Sequence, residues 1–486
     1  MPFHQDRKEV PMELIHVAAF CGVALLYTVL LPATWRGWAL MLVSVVAIYW
    51  LQPTLQLRWL DYTLPTLTLG VLVLAWRSVQ KAAEGRQSLT RDDGLALAVL
   101  VGAALLFTLS RYIDLELTIT SRPPPIEYAL SGIAIFGVVG VGLGRVRGER
   151  LLLGGVMLLI VLFILVKTEP LTAWLSGVWR SGVGQDAALA SALDIRWLGF
   201  SYVAFRIIHT LRDSQSGRLP ALSLREYVTY VIFFPSLTAG PIDRAERFLK
   251  DYQALPTIAR YDADRIAQGS TRIAVGLFKK FVIADSLAVF SLSAMTVTQA
   301  DTTGALWVMV YAYAFQLFFD FSGYTDIAIG IGILFGVKLP ENFNRPYLKT
   351  DIASFWQSWH KTLSDWVRFY VYTPLSRTLI KRKWRKNQVI FAVTMTTMIV
   401  IGLWHGVTVP FFIWGAWHGI GLFLHRLWSD RTRTWYRQLA GRRAQVWQGF
   451  ALLLTFHFVV VGWVWFALPQ VDTAAETVLR LFGVGW

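Results

Sequence analysis

The chain is poor in the residues that most catalytic and cofactor-binding frameworks require. Cys21 is its single cysteine, so no internal disulfide can form and no thiol-ligated metal cluster can be built from this chain. It lies in an apolar run without a flanking base to ionise it, which makes packing its expected role. Charge is scarce too, at 16% of 486 residues. Against that stand 55% hydrophobic residues and a mean hydropathy of +0.48, more apolar surface than one soluble core can bury. No G-x-S-x-G elbow and no H-E-x-x-H zinc helix is present. The glycine runs "GVVGVGLG" and "GIGILFG" fail the G-x-G-x-x-G pattern and lie in apolar spans, where packing accounts for them. What remains is an all-α polytopic membrane protein, with no metal site and no bound cofactor expected.

Runs long enough to cross a hydrocarbon core, roughly 17 to 25 residues, fall at about 12–31, 37–53, 60–76, 94–110, 126–144, 151–167, 197–211, 226–240, 272–295, 304–321, 389–405, 411–428 and 446–468. Several are short or broken by Gly and Pro, and some are expected to be re-entrant. "MPFHQDRKEV" has neither the amphipathic character of a transit peptide nor a small-residue cleavage site, so the first span is expected to stay.

Basic residues outnumber acidic ones 46 to 31, a net charge of +15. In a chain this apolar, the excess reads as topology and attraction to anionic lipid headgroups, not as nucleic-acid binding. Arg77, Lys81, Arg86 and Arg91 lie between two spans; Arg145, Arg147 and Arg150 lie two crossings later; Arg212, Arg218 and Arg225 lie two crossings later again. These loops alternate with basic-poor ones such as "IDLELTIT" and "EPLTAWLSG", which places the basic set in the cytoplasm; the expected location is the cytoplasmic (inner) membrane.

Residues 389–428 would run about 60 Å as one helix, twice a bilayer core of roughly 30 Å, and both flanks are basic. The expectation is a helical hairpin entered and left from the cytoplasm and turning near Gly406 to Pro410. His405 then sits at the turn, where an ionisable side chain is costly unless it lines a wet cavity. His418 reads more simply as an interfacial ring among tryptophans.

Upstream, "DIASFWQSWHKTLSDWVRFYVYTPL" (351–375) reads as an amphipathic helix. Ile352, Phe355, Trp356, Trp359, Leu363, Trp366, Val367 and Tyr370 fall within about 60° of one direction at 100° per residue. His360 falls at the margin of that stripe, where packing and pairing with a second histidine both remain open. Before it, Asp320, Ser322, Tyr324 and Asp326 interrupt an apolar run, and their polar groups are expected to face a cavity or a partner, or to cap and pair helix ends. Gly332 with Gly336 is expected to form a small-residue helix contact.

"FDFSGYTDIAIGIGILFG", "PENFNRPY", "FWQSWHKTLSDWVRFYVYTPL", "GLWHG" and "IWGAWHG", in that order, resemble the membrane-bound O-acyltransferase family, in particular its bacterial branch of alginate O-acetyltransferases and teichoic-acid D-alanyl transfer proteins. "WLGFSYVAFRIIHTLRD" and "FFPSLTAGPIDRAERF" are similar to the branch's glycine-aromatic helix and Pro-rich re-entrant segment, with "GLFKKFVIADSLA" after them. The resemblance covers about residues 195–430. It divides the chain into N-terminal spans at 1–190, an acyltransferase core at 191–430, and a C-terminal span and tail at 431–486.

The resemblance implies a ring of roughly 11 to 13 tilted and re-entrant helices around a central tunnel. It assigns His405 the family's near-invariant histidine, and His360 a second position that is His in this branch and Asn in many relatives. It implies a thioester donor, acetyl-CoA or an acyl carrier protein, entering from the cytoplasm. The acceptor would be a hydroxyl of an extracytoplasmic polysaccharide or a partner acyltransferase. In that chemistry a neutral imidazole takes the hydroxyl's proton as the bond to the thioester carbon forms; His405 is the candidate base, and His360 the group that orients the acceptor or donates to the oxyanion. Trp404, Trp359, Asp320, Ser322, Tyr324, Asn344 and Arg345 are candidate tunnel-lining residues, with Asn342 a further possible donor. Gln357-Ser358 and Ser376-Arg377 depart from alginate-type relatives, which leaves the acceptor open. "HKTLSD" reads H-x-x-x-x-D, but on a continuous helix its His360 and Asp365 point about 140° apart. The alternative class is a transporter or flippase using the histidines, Asp320 and Asp326 as a proton relay.

Overall fold

The computed structural model describes residues 13–82, 89–113, 123–143, 148–259 and 261–485. Arg86, Arg145, Arg147, most of the "IDLELTIT" loop and the opening "MPFHQDRKEV" lie outside them. Within the described residues the secondary structure is helical and contains no strand. Among the described residues seven helices are long and apolar enough to cross a membrane: Ala33–Trp50, Leu60–Gln80, Arg91–Tyr112, Arg150–Lys167, Thr303–Leu334, Lys386–His405 and Gly441–Ala467. Leu14–Leu30 and Ile126–Gly142 are shorter apolar helices. The chain is an all-α, multi-pass membrane protein, with fewer membrane-length helices among the described residues than the hydropathy runs suggest.

The described chain falls into two compact units, one made of residues 13–273 with 327–339, the other of 274–326 with 340–485. In the first, the run at 226–240 is not a span. A helix starts at Leu224 on a capping box, in which Ser223 and Glu226 satisfy each other's backbone N–H. It ends at Val231, and "FFPSLTAGPID" continues as a buried turn because Pro235 and Pro241 cannot donate to a helix.

Irregular backbone at membrane depth needs its polar groups satisfied by protein. Arg206, 1% exposed, supplies them by donating to the carbonyls of Val231 (2.8 Å) and Ser236 (2.9 Å) and to Ser236 Oγ (2.6 Å). One turn on, His209 pairs with Asp213 at 3.0 Å, both fully enclosed, and Tyr230 ties His209 to the carbonyl of Asp243. Thus 197–211, read as a span, forms the Phe200–Gln215 helix with a buried polar face. Replacing Arg206 with Ala strands at least two buried carbonyls, so we expect a loss of about 3–5 kcal/mol, read as a large drop in the detergent-solubilised protein's unfolding midpoint. Arg206→Lys should not restore it, since one ammonium cannot span the same fork.

In the second unit, a seven-residue π-helical turn, Phe278–Ala284, presents two lysines. Lys279 Nζ meets Asp326 Oδ2 at 2.6 Å, and Lys280 pairs with Asp320. The carboxylates that interrupt the apolar run therefore have cationic partners. Gly323 permits close approach, since a Cβ there would lie 2.8 Å from the Gly276 carbonyl oxygen.

The expected contact of Gly332 with Gly336 is replaced by a helix end. Gly336 takes φ +87°, Val337 N–H donates to Gly332 O (2.8 Å) and Gly336 N–H to Ile333 O (3.0 Å). That is a Schellman closure of the Thr303–Leu334 helix, and its left-handed residue is the reason a glycine stands there.

Candidate active site

The hairpin read from residues 389–428 is present. Lys386–His405 and Val409–Gln438 are joined by a turn at 406–408, with Pro410 in the first turn of the second helix, where its missing N–H costs nothing. The helices approach closely on glycines. A Cβ at Gly415 would sit 2.6 Å from the Met398 carbonyl oxygen, and one at Gly402 would overlap that of Phe411. Gly415→Leu must therefore push the helices apart, costing about 1–3 kcal/mol. We expect a lowered unfolding midpoint and lost activity together.

His405 is the last residue of its helix and is half-buried among rings: Trp404 at 4.5 Å, Phe466 at 4.7 Å, Trp414 at 5.6 Å and Phe411 at 5.9 Å between centroids. On its other side Trp404 packs 6.0 Å from the ring of His360. The structure thus brings His360, Trp404 and His405 into one continuous aromatic wall.

The segment carrying His360 is not the continuous amphipathic helix expected. It forms short helices at Ile352–Trp356 and Lys361–Val367, a π-helical turn at Arg368–Tyr372 and a helix at Thr373–Lys381. The break falls at His360, in the left-handed region with φ 42°, ψ 53°. Its cause lies upstream. Asn342 accepts Lys361 N–H on its carbonyl (2.9 Å), and its side-chain oxygen accepts Thr362 N–H (3.2 Å) and Oγ1 (2.9 Å). Asn344 N–H donates to Ser358 O at 2.9 Å. Donors that a helix would send back four residues are taken by "PENFNRPY" instead, while the apolar stripe from Ile352 to Val367 stays buried.

His360 is 2% exposed, with Phe321 packed edge-on at 4.7 Å and no hydrogen-bond partner for Nε2 among the described residues. It lies outside the membrane-length helices, and burial pushes its imidazole down to about 3, so it is neutral at physiological pH. Asn342 is fully buried, and its Nδ2 likewise has no partner among the described residues.

The sequence profile of the membrane-bound O-acyltransferase family matches residues 55–462. The chain belongs to that family. It is 35% identical over 289 residues to a probable alginate O-acetylase of Pseudomonas putida, which covers 59% of this chain and 56% of that protein. It is 34% identical over 273 residues to the teichoic acid D-alanyltransferase of Bacillus subtilis (55% and 68% covered). It is 35% identical over 259 residues to the peptidoglycan O-acetyltransferase of Helicobacter pylori (53% and 47%). The chain spans little more than half the length of the alginate-type relatives it matches.

Of the other residues singled out for this O-acyltransferase chain, Trp359 is buried in an aromatic cluster with Phe343 (5.2 Å), Tyr347 (5.6 Å) and Trp463 (5.0 Å). Ser322 and Tyr324 are buried, and Ser322 Oγ has no partner among the described residues. Asp320 is committed to Lys280. Asn344 and Arg345 are exposed, Arg345 in a left-handed turn, so neither is gathered to the wall. Asp365 is exposed where His360 is buried, in keeping with the dismissal of H-x-x-x-x-D.

His418 is fully buried among Phe355, Trp356, Trp414, Phe458 and Trp463, not held at a headgroup surface. Sequence reasoning missed Phe321, Phe466 and Trp414 as walls of the site. The apolar period shows such rings as core, and only the fold turns them toward a histidine.

Proposed function

We propose that this protein is a membrane-bound O-acyltransferase that moves a short acyl group, most simply acetyl, from a cytoplasmic thioester to a hydroxyl on the far side of the cytoplasmic membrane. The observation that carries the reading is the wall in which Trp404 joins a half-buried His405 to a buried, neutral His360. The hydroxyl oxygen attacks the thioester carbonyl carbon. Its proton passes to the His405 imidazole and on to sulfur, so a C–O bond forms, the C–S bond breaks and the donor leaves as a free thiol. A ring N–H of His360 and the Asn342 amide are donors with capacity to spare for the developing oxyanion.

The donor is coenzyme A or an acidic acyl carrier protein, drawn to the basic cytoplasmic loops. The acceptor class follows the relatives, whose names describe acylation of alginate, teichoic acid and peptidoglycan: an envelope polysaccharide, or a partner acyltransferase that passes the group on. Asp320 and Asp326 are each ion-paired with a lysine, an arrangement that also serves to pair helix ends and gives the transport reading no observation of its own.

The test is sidedness. In proteoliposomes of fixed orientation, acetyl-CoA or acetylated carrier protein supplied on the cytoplasmic face should acylate a polysaccharide enclosed on the other. Acylation only when both are on one face would overturn the transmembrane direction. Ion-coupled uptake without thioester consumption would favour transport.

A further inference from the structure

Two buried arginines of the first unit differ in what meets the guanidinium edge formed by Nε and Nη2. Arg180 sets both nitrogens on Asp194 Oδ2, at 3.0 and 2.9 Å, the paired donation that oxyanions favour. Arg36 has the same edge with nothing on it. Its Nη1 donates to the carbonyls of Leu255 (3.0 Å) and Ile258 (2.6 Å), which fixes the side chain, while Nε and Nη2 are buried without a partner among the described residues. The residue is 2% exposed. A cation so enclosed is costly without a counter-ion, and an open, pre-set fork is shaped for an oxyanion. We propose that Arg36, Tyr27 and Arg265 bind one terminal phosphate group (a phosphate monoester), at a site that does not rest on the acyl-transfer reading.

Three donors share this neighbourhood. The Tyr27 hydroxyl is buried and has no partner among the described residues, and its ring is fixed against Phe335 at 4.8 Å. Arg265 lies within electrostatic reach of both Arg36 and Tyr27, and its Nε is likewise buried and unpartnered there. Burial pushes the Arg265 guanidinium below its ordinary value; Asp262 opposes that, and Arg36 adds to the fall as a like charge must. Asp262 is spent on capping, accepting the Arg265 backbone N–H at 3.0 Å. Tyr252, a second phenol beside Arg36, is also committed, donating to the Gly37 carbonyl at 3.0 Å.

The donor set selects the ligand. A carboxylate or a phosphate diester brings one charge and two free oxygens, too few for two guanidiniums and a phenol. A terminal phosphate brings three oxygens and up to two charges. Ordinary bilayer phospholipids are diesters, so they are the poorer match.

Its place gives such a group access. Arg36 begins the helix that follows the first apolar one, and Arg225, from the basic set expected in the cytoplasm, lies over the ring of Trp38 at 4.7 Å. Arg36 and Tyr27 are enclosed whereas Arg265 is half-buried, which puts the mouth on the Arg265 side. A lipid of phosphatidic-acid type or a soluble phosphate could present the same chemistry at that face.

The test uses the full chain in detergent, stripped of lipid, and reads binding from the unfolding midpoint as ligand is added. The probes are dihexanoyl phosphatidic acid, dihexanoyl phosphatidylglycerol and inorganic phosphate. We expect saturable stabilisation by phosphatidic acid, and binding of phosphatidylglycerol weaker by at least about tenfold. Tyr27→Phe keeps the packed ring and removes only the hydroxyl. It and Arg265→Gln should each weaken binding about tenfold, the scale of one hydrogen bond to a charged group. Arg36→Lys keeps a cation but loses the fork, and should abolish binding; should it fail to fold, the other two variants carry the test. Saturation by inorganic phosphate that the same variants lose would assign the site to a soluble phosphate, and saturation by phosphatidic acid alone would assign it to a lipid. No saturable stabilisation by either, equal binding of phosphatidylglycerol, or unchanged binding in the folded variants would each overturn the site.

Discussion

His405→Ala should lower the rate constant for acyl transfer by about a hundred- to ten-thousandfold, the usual worth of a positioned general base, with little change in the donor's KM. The reasoning is local. The imidazole ends a helix pinned by glycine contacts and is held by Trp404, Phe411, Trp414 and Phe466, so truncation leaves a small void in a wall that still stands. Steady-state kinetics on the folded variant checks this. A fall in the rate constant at unchanged KM marks a group used in the transition state, whereas a rise in KM alone would mark a binding role.

His360 should respond to substitution in a graded way, because two demands meet there. Its backbone is left-handed, a conformation that Asn and His tolerate, Gly adopts freely and Ala takes at a cost of about 1–2 kcal/mol. Its ring also supplies a donor from a dry position. His360→Asn meets both demands and should stay within about tenfold of wild type, whereas His360→Ala should lose about a hundredfold, the scale of one oxyanion donor. His360→Gly separates the two causes: it relaxes the backbone without restoring a donor, so it should be more stable than the alanine variant and just as inactive. Recovery of activity in the glycine variant would make the role conformational.

The pH dependence has a definite sign. His360 is pushed below the ordinary histidine value of 6.5, so the folded protein binds fewer protons there than the unfolded chain. Its share of stability is complete above about 6.5 and drains away as pH falls toward 3. The acid side of the activity profile between pH 5 and 8 should therefore be unchanged in His360→Asn.

The hairpin was legible because its signals are local: two apolar runs, basic flanks and a Gly–Pro turn. The histidine motifs were legible as residues but not as a site. The break at His360 depends on Asn342, whose hydrogen bonds outcompete a helix that the apolar period favours, and a helical wheel carries no information about a partner 20 residues away. Arg206 misled in the opposite way. Hydropathy counts it against a span, yet it is what lets the span-like run at 226–240 fold into a buried turn. The carboxylates of the 314–349 stretch needed lysines 40 and 47 residues distant before their role as ion-pair partners could be told from tunnel lining.

The most direct measurement is free-thiol release from an acyl-thioester by the purified protein, with and without a hydroxyl acceptor, in wild type and His405→Ala of equal thermal stability. The account predicts acceptor-dependent release in wild type and its loss in His405→Ala. Turnover in His405→Ala equal to wild type would contradict it, and would make the imidazole of "GLWHG" an anchor in the aromatic wall.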